Sequence, residues 1–240
     1  MTMATTTKFW TWLQIYNKIT TELDLGEEDF VSKDEMREYA NDAIKLAEAA
    51  IHSLAEDYFL TFAPMTIASG TDTYALPANI YGSKIRNILY YDSAKVYEVK
   101  RCGILKKFME LQVNALYAVN TGQVFEYHYF LINSTSGAPQ ILMTPPVKDS
   151  GALLKCWYLR NANRLETDGD VCDIPEFISV IFNFIRERIT FKEEPGSPKH
   201  QKAQKDFEDS TLLMMTTLKD MVVDGANEIE PDYSHYEESV

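Results

Sequence analysis

Ser32-Lys33-Asp34-Glu35-Met36-Arg37-Glu38-Tyr39-Ala40-Asn41-Asp42-Ala43-Ile44 opens the stretch from Ser32 to Phe62 that decides the fold. Ser32 and Glu35 stand at the spacing of a capping box, the serine hydroxyl taking the N–H at Glu35 while the carboxylate reaches back. Met36, Tyr39, Ala40, Ala43, Ile44, Ala47, Ala50, Ile51, Leu54 and Tyr58 then recur in steps of three and four. The spacing predicts one long helix with an apolar stripe about 40 Å long at 1.5 Å per residue. Four alanines on that stripe (Ala40, Ala43, Ala47, Ala50) let a second helix approach closely, so the stretch reads as the spine of a helical bundle.

Around the spine, Phe9 to Leu23 places Phe9, Trp12, Leu13, Tyr16, Ile19 and Leu23 on one face and stops near Gly26. This first helix is expected to pack antiparallel to the spine. After Ala63-Pro64 the period shortens, and short alternating runs punctuated by turns predict antiparallel strands. The candidates are Thr73 to Leu76, Ile85 to Tyr91, Lys95 to Val99, Phe125 to Ile132, Gln140 to Met143 and Leu153 to Leu159. Asp92-Ser93 and Asn133-Ser134-Thr135-Ser136-Gly137 supply turns. Gly103 to Asn120 stays open between a short helix marked by Leu105, Phe108, Met109 and Val113 and an irregular connection.

Asp173-Ile174-Pro175-Glu176 then reads as an acidic cap with proline in the first turn. The helix it opens, to Phe191, is apolar nearly all round until Arg186, as a helix buried on several sides must be. Glu193-Glu194-Pro195-Gly196 ends it, and Ser197-Pro198 starts another, with Ala203, Phe207, Thr211, Met214, Leu218 and Met221 or Val222 inward. The expected class is α+β. An antiparallel bundle of about four helices is formed by residues 9–62 and 173–223, an antiparallel β-rich unit is inserted at 65–166, and an extended acidic tail follows at 224–240.

With 45% apolar residues, ten glycines and nine prolines in 240 residues, the chain is globular rather than fibrous or disordered. A net charge of −13 disfavours indiscriminate binding to nucleic acid or anionic membrane. Cys102, Cys156 and Cys172 are odd in number and share no ligand spacing, so free thiols in a reducing compartment are expected. No signal-peptide pattern and no long apolar window is present, which predicts a protein made in the cytoplasm with no membrane partner.

Chemistry is sparse. His52, His128, His200 and His235 are scattered, and no hydrolase, phosphate-loop or dinucleotide motif occurs. Glu126 and His128 share one strand face, more in keeping with a solvated face than with an acid–base pair. No catalytic residue, cofactor or metal ligand is assigned. Two stretches remain as interaction candidates. Lys84 to Lys107 holds seven cations against Asp92 and Glu98; Lys100, Arg101, Lys106 and Lys107 among them suit a subunit or tail contact, or else a charged strand edge that resists aggregation. The tail, with six acids and no Lys or Arg, carries Ile229, Tyr233 and Tyr236 beside Glu237 and Glu238, a pattern for a segment that orders on a partner, or for a frayed terminus.

The chain resembles the head-to-tail adaptor, or upper tail-tube, proteins of tailed bacteriophages. The likeness is carried by Asp34 to Ile44 and Glu56-Asp57-Tyr58-Phe59-Leu60, followed by Thr73-Tyr74-Ala75-Leu76-Pro77 and Tyr81-Gly82-Ser83-Lys84-Ile85-Arg86, and later by Asp173-Ile174-Pro175-Glu176. It implies a non-enzymatic virion protein at the head–tail junction. Such proteins form a ring, usually twelvefold, beneath the portal protein, present a docking surface to the tail nozzle or tail-tube protein, and leave a channel through which DNA passes without sequence-specific binding. It also implies that the tail segment, with Ile229, Tyr233, Tyr236, Glu237 and Glu238, engages the portal. A glycan- or receptor-binding tail component is the alternative, with Tyr74, Tyr81, Tyr90, Tyr91, Tyr97, Tyr117, Tyr127 and Tyr129 on its binding face. Cell-wall hydrolysis comes third, since no paired acids stand at a recognisable spacing.

Overall fold

The structure, a computed structural model, describes residues 9–26, 30–67, 71–91, 95–119, 126–132, 139–146 and 153–225. In chain order its elements are β1 (Trp10–Thr11), α1 (Trp12–Leu23), α2 (Lys33–Leu54), β2 (Leu60–Thr66), β3 (Thr73–Ala75), β4 (Ile80–Tyr91), β5 (Val96–Arg101), α3 (Leu105–Val119), β6 (Tyr127–Ile132), β7 (Gln140–Thr144), β8 (Leu153–Arg160), β9 (Val171–Cys172), α4 (Ile178–Glu193) and α5 (Pro198–Gly225). The class is α+β, with five helices and one large sheet among the described residues. The chain divides into two compact units, Met1–Tyr58 with Ala162–Val240, and Phe59–Asn161.

The first unit is helical. Ser32 caps α2, its Oγ accepting from the Glu35 N–H at 3.2 Å. The Glu35 carboxylate meets the Ser32 backbone in return, but only as the weakest of its contacts, since it is shared with Lys192 at 2.7 and 2.8 Å and with the Tyr39 hydroxyl at 2.6 Å. Lys192 Nζ also donates to the Phe30 carbonyl at 2.9 Å, so the end of α4 is tied to the start of α2. These hydrogen bonds, Lys192 first and Tyr39 second, hold the Glu35 carboxyl below the usual carboxylate range. Desolvation, and then Glu35, push the Tyr39 hydroxyl up to about 12.

The α2 stripe is buried as its spacing requires: Ala40, Ala43, Ala47 and Ile51 are inaccessible to solvent. The helix ends at Leu54 rather than Phe62. Beyond Ala55–Tyr58, the aromatic and β-branched run Phe59-Leu60-Thr61-Phe62 prefers extended backbone, and it forms β2 instead. The first helix begins at Trp12, since Trp10 and Thr11 pair with Cys172 and Val171. It is capped by a box in which Thr11 and Gln14 exchange bonds, and it stops at Asp24, which takes the left-handed φ of 54° in place of the expected glycine stop.

Helix α4 packs against α1, α2 and α5. Ile181, Phe182, Phe184, Ile185 and Ile189 are each at most 4% exposed, and burying each contributes roughly 1.5–3 kcal/mol. A 3-10 turn at Pro175–Phe177 precedes it, with no side-chain cap. Asp173, expected as that cap, accepts instead from the Asn163 N–H at 3.1 and 3.2 Å. Ser197 caps α5 as its sequence predicts, accepting from the His200 N–H at 3.2 Å, while Gly196 supplies the turn with a φ of 79°.

Between Asn161 and β9 the chain is held by side chains of α2. Glu48 accepts from the Ala162 N–H at 2.6 Å, and the Asn41 amide takes both polar groups of Leu165, at 2.9 and 3.1 Å. Arg37 donates to the Glu166 carbonyl at 2.8 Å, and Lys33 pairs with Asp168. The turn that follows is closed by Asp170, whose carboxylate accepts from the N–H groups of Glu166 and Thr167 at 2.6 Å each.

The second unit is a seven-stranded sheet in the order β2-β8-β4-β5-β6-β7-β3. Its core is one continuous cluster including Ile88, Tyr90, Val99, Ile141, Met143, Leu154 and Cys156. The sheet is not wholly antiparallel, as expected, for β5 and β6 run parallel, Val99 opposite Tyr127 and Arg101 opposite Tyr129. A parallel pair needs a crossover, and residues 105–119, ambiguous in sequence, fold as α3 to provide it. Strand β4 starts five residues before its expected start and carries a register shift between Ile80 and Ile85. Gly82 and Ser83, at φ 51° and 58°, make this irregularity. Pro64 sits on the edge strand β2, where its missing N–H leaves no ladder gap.

Three outcomes are expected. Asn41→Ala, which strips both partners from the buried Leu165 backbone, lowers unfolding free energy by about 1–3 kcal/mol in urea titration. Ala47→Leu overpacks the α2 contact and costs about 1–3 kcal/mol. Because the folded pKa of Glu35 is depressed, its contribution is present above the unfolded value near 4.3 and lost as pH falls through the folded one. Lys192→Met therefore flattens the acid limb of a melting-temperature profile between about pH 5 and 3, by up to about 1 kcal/mol for so exposed a pair.

Candidate functional site

The basic stretch builds a surface around the β5–α3 junction. Lys100 and Arg101 are the last residues of β5, and Lys106 and Lys107 lie in the first turn of α3. The junction between them is fixed: the Cys102 N–H donates to the Tyr129 carbonyl at 2.8 Å, and the Phe108 N–H to that of Ile104 at 3.0 Å. Phe108 is buried beneath α3 and packs against Phe130 of β6, their centroids 5.7 Å apart.

The four cations are not equivalent. Lys100 is bonded to Glu126 at 2.7 Å, an exposed pair in which each group favours the other's charged form, raising the lysine and lowering the carboxyl. Glu126 also lies 3.8 Å from His128. No ion pair holds Arg101, Lys106 or Lys107 among the described residues. Earlier in the stretch, Lys84 stands over the Tyr81 ring at 5.6 Å.

Beside Lys106, α3 turns an apolar stripe outward. Leu105, Met109 and Val113 are each more than half exposed. With Lys106, Glu110 and Asn114 they line an open groove of about 620 Å³. Sequence reading noticed these apolar positions only as helix markers. The signal lay in their number, because Leu105, Met109 and Val113 fall on one line and Phe108 and Ala115 on another, and a short helix covering one sheet needs only the second.

Tyrosines expected on a binding face mostly do other work. Tyr74, Tyr90 and Tyr129 are buried, Tyr97 stacks on Tyr90 at 5.7 Å, and Tyr127 meets Tyr90 in a tilted contact at 4.9 Å. The side chain of Tyr117 lies outside the described residues. A different aromatic group is open on the sheet: Phe62 packs against Trp157 at 5.1 Å, and Lys155 stands 5.5 Å from the Phe62 ring and 4.9 Å from that of Tyr91. Of this group sequence reading placed only Tyr91 on a binding face, because Phe62 was assigned to the helix.

The other candidate set, Ile229, Tyr233, Tyr236, Glu237 and Glu238, lies outside the described residues. Among the described residues no group of His, Cys, Asp and Glu is arranged to hold a metal ion, and no helix is long and apolar enough to cross a membrane. All three cysteines are free and buried, and desolvation pushes the Cys156 and Cys172 thiols up to about 12, which makes them poor nucleophiles.

No curated protein matches the chain. A family model described as SU10 adaptor protein matches residues 10–222, from β1 through nearly all of α5, spanning both units. The match spans most of the chain, and the protein belongs to the SU10 adaptor family of phage structural adaptors.

Proposed function

We propose that this protein is a non-enzymatic ring adaptor at the head–tail junction of a virion. The family match over residues 10–222 carries the reading. In it, the four helices of the first unit act as one antiparallel bundle and residues 59–161 as an inserted domain. Copies assemble beneath the portal, twelve to a ring, and offer the next surface to the tail nozzle or tail-tube protein. The acidic segment 224–240 engages the portal through Ile229, Tyr233 and Tyr236, with Glu237 and Glu238 setting register, while Lys100, Arg101, Lys106 and Lys107 contribute to a subunit or tail contact. A chain of net charge −13 suits a channel wall, since it repels the phosphate backbone and lets DNA slide.

One observation favours a second reading. The open aromatic group of Phe62, Trp157 and Tyr91 with Lys155 suits stacking against a sugar ring, as a glycan-binding tail component would require.

Mass photometry of the full chain and of a chain truncated after Asp224, each with a purified portal ring, decides between them. The adaptor reading expects a portal-bound increment equal to a whole number of 27.5 kDa copies that disappears with the truncation. Absence of any increment with the full chain, together with glycan-array binding lost in Trp157→Ala, would favour the second.

A further inference from the structure

The α3 stripe is an exposed apolar face bordered by Lys106 and Glu110, with Lys107 beside Lys106 in the first turn of the helix. Leu105, Met109 and Val113 run about 12 Å along the helix at 1.5 Å per residue, each more than half exposed. Lys106 lines the same groove, and neither it nor Lys107 has an ion pair among the described residues. The face therefore suits an occupant with short apolar spacing and acids that meet the two lysines at the start of the helix. The chain itself carries such a segment. Residues 226–240 follow α5 with five acids, no Lys or Arg, and Tyr233, Tyr236 and Val240 at steps of three and four. That spacing is the one a helix uses to lay anchors along a groove. Fifteen residues also reach up to roughly 50 Å when extended, enough to cross from one molecule to another.

We propose that the α3 groove binds the C-terminal segment, residues 226–240, of a second copy of this chain. Tyr233 and Tyr236 lie along Leu105, Met109 and Val113, and the acids face Lys106 and Lys107. Each copy then offers one donor segment and one acceptor groove, a head-to-tail contact that propagates and closes. The contact deepens the adaptor reading by giving the segment a seat before a portal is present. Portal docking takes the segment from α3, so the two contacts alternate.

Sedimentation velocity of the full chain, with no portal, tests this. The expected result is concentration-dependent self-association that weakens at high salt and is lost in a chain truncated after Gly225. Met109→Glu, at an exposed position, and the pair Lys106→Glu with Lys107→Glu each weaken it about tenfold. Adding Glu237→Lys and Glu238→Lys to the α3 charge reversal restores it. Tyr233→Ser with Tyr236→Ser changes only the segment, and it gives the same loss if the α3 variants fold poorly. A chain that stays monomeric at all concentrations, or association that survives truncation or ignores the α3 variants, overturns the proposal. Because no portal takes part, either of those results leaves the adaptor reading standing, and failure to dock on a portal leaves this one.

Discussion

The helical unit depends on one arrangement, the line of side chains by which α2 holds the returning chain. Glu48, Asn41, Arg37 and Lys33 meet Ala162, Leu165, Glu166 and Asp168 in antiparallel order. The segment from Ala162 to Asp168 belongs to no sheet, yet Leu165 is fully buried. Its backbone groups must find partners elsewhere or cost about 1–3 kcal/mol each. The Asn41 amide, with a donor and an acceptor on one planar group, satisfies two of them at once. No aliphatic residue on the α2 stripe offers that, which gives a physical reason for an asparagine inside a helix that otherwise disfavours it. Once this segment is seated, the chain is aimed into the 3-10 turn and α4, the helix against which the other three in the unit pack.

That dependence explains what could be read from the sequence. Periodic burial was legible: the α2 stripe, the apolar α4 and the inward face of α5 all follow from spacing, and Ser197 caps α5 where its position says it should. Ends set by tertiary contacts were not. Phe59 to Phe62 continues the helical count, but β2 forms because β8, almost a hundred residues later, supplies a ladder to pair with. Glu35 stands at a capping-box spacing and keeps its contact with the Ser32 backbone, but Lys192, remote in sequence, holds it more strongly. Asp173 looks like a helix cap and serves Asn163 instead. The parallel β5–β6 pair was hidden for the same reason, since strand direction is decided by what the connection becomes, and residues 103–120 fit two descriptions.

The candidate surface was legible in charge and not in shape. Seven cations among twenty-four residues stand out in a chain of net charge −13, but charge alone does not separate a solvated edge from a contact. Their surroundings in the structure differ. Lys100 is occupied by Glu126, whereas Lys106 borders an exposed apolar stripe, the combination of apolar centre and charged rim that interfaces share. The stripe escapes composition because its residues are ordinary helix formers, and only the placement of Phe108 beneath the helix shows that Leu105, Met109 and Val113 must face away.

The excursion from Phe59 to Asn161 is compatible with a helical unit built from distant pieces because its two ends meet. Strands β2 and β8 are antiparallel neighbours, Leu60 opposite Leu159, and the Arg160 N–H donates to the Phe59 carbonyl at 3.2 Å. Chain entering and chain leaving are thus one strand spacing apart, about 5 Å. Bringing together the ends of a flexible loop of that length would cost entropy that grows with the logarithm of its length. Here the sheet's own core supplies the closure, so the α2–α4 contact need not bear it. The excursion can then change in its outer faces, α3 and the open aromatic group included, while the pairing of β2 with β8 keeps the entry and exit points fixed.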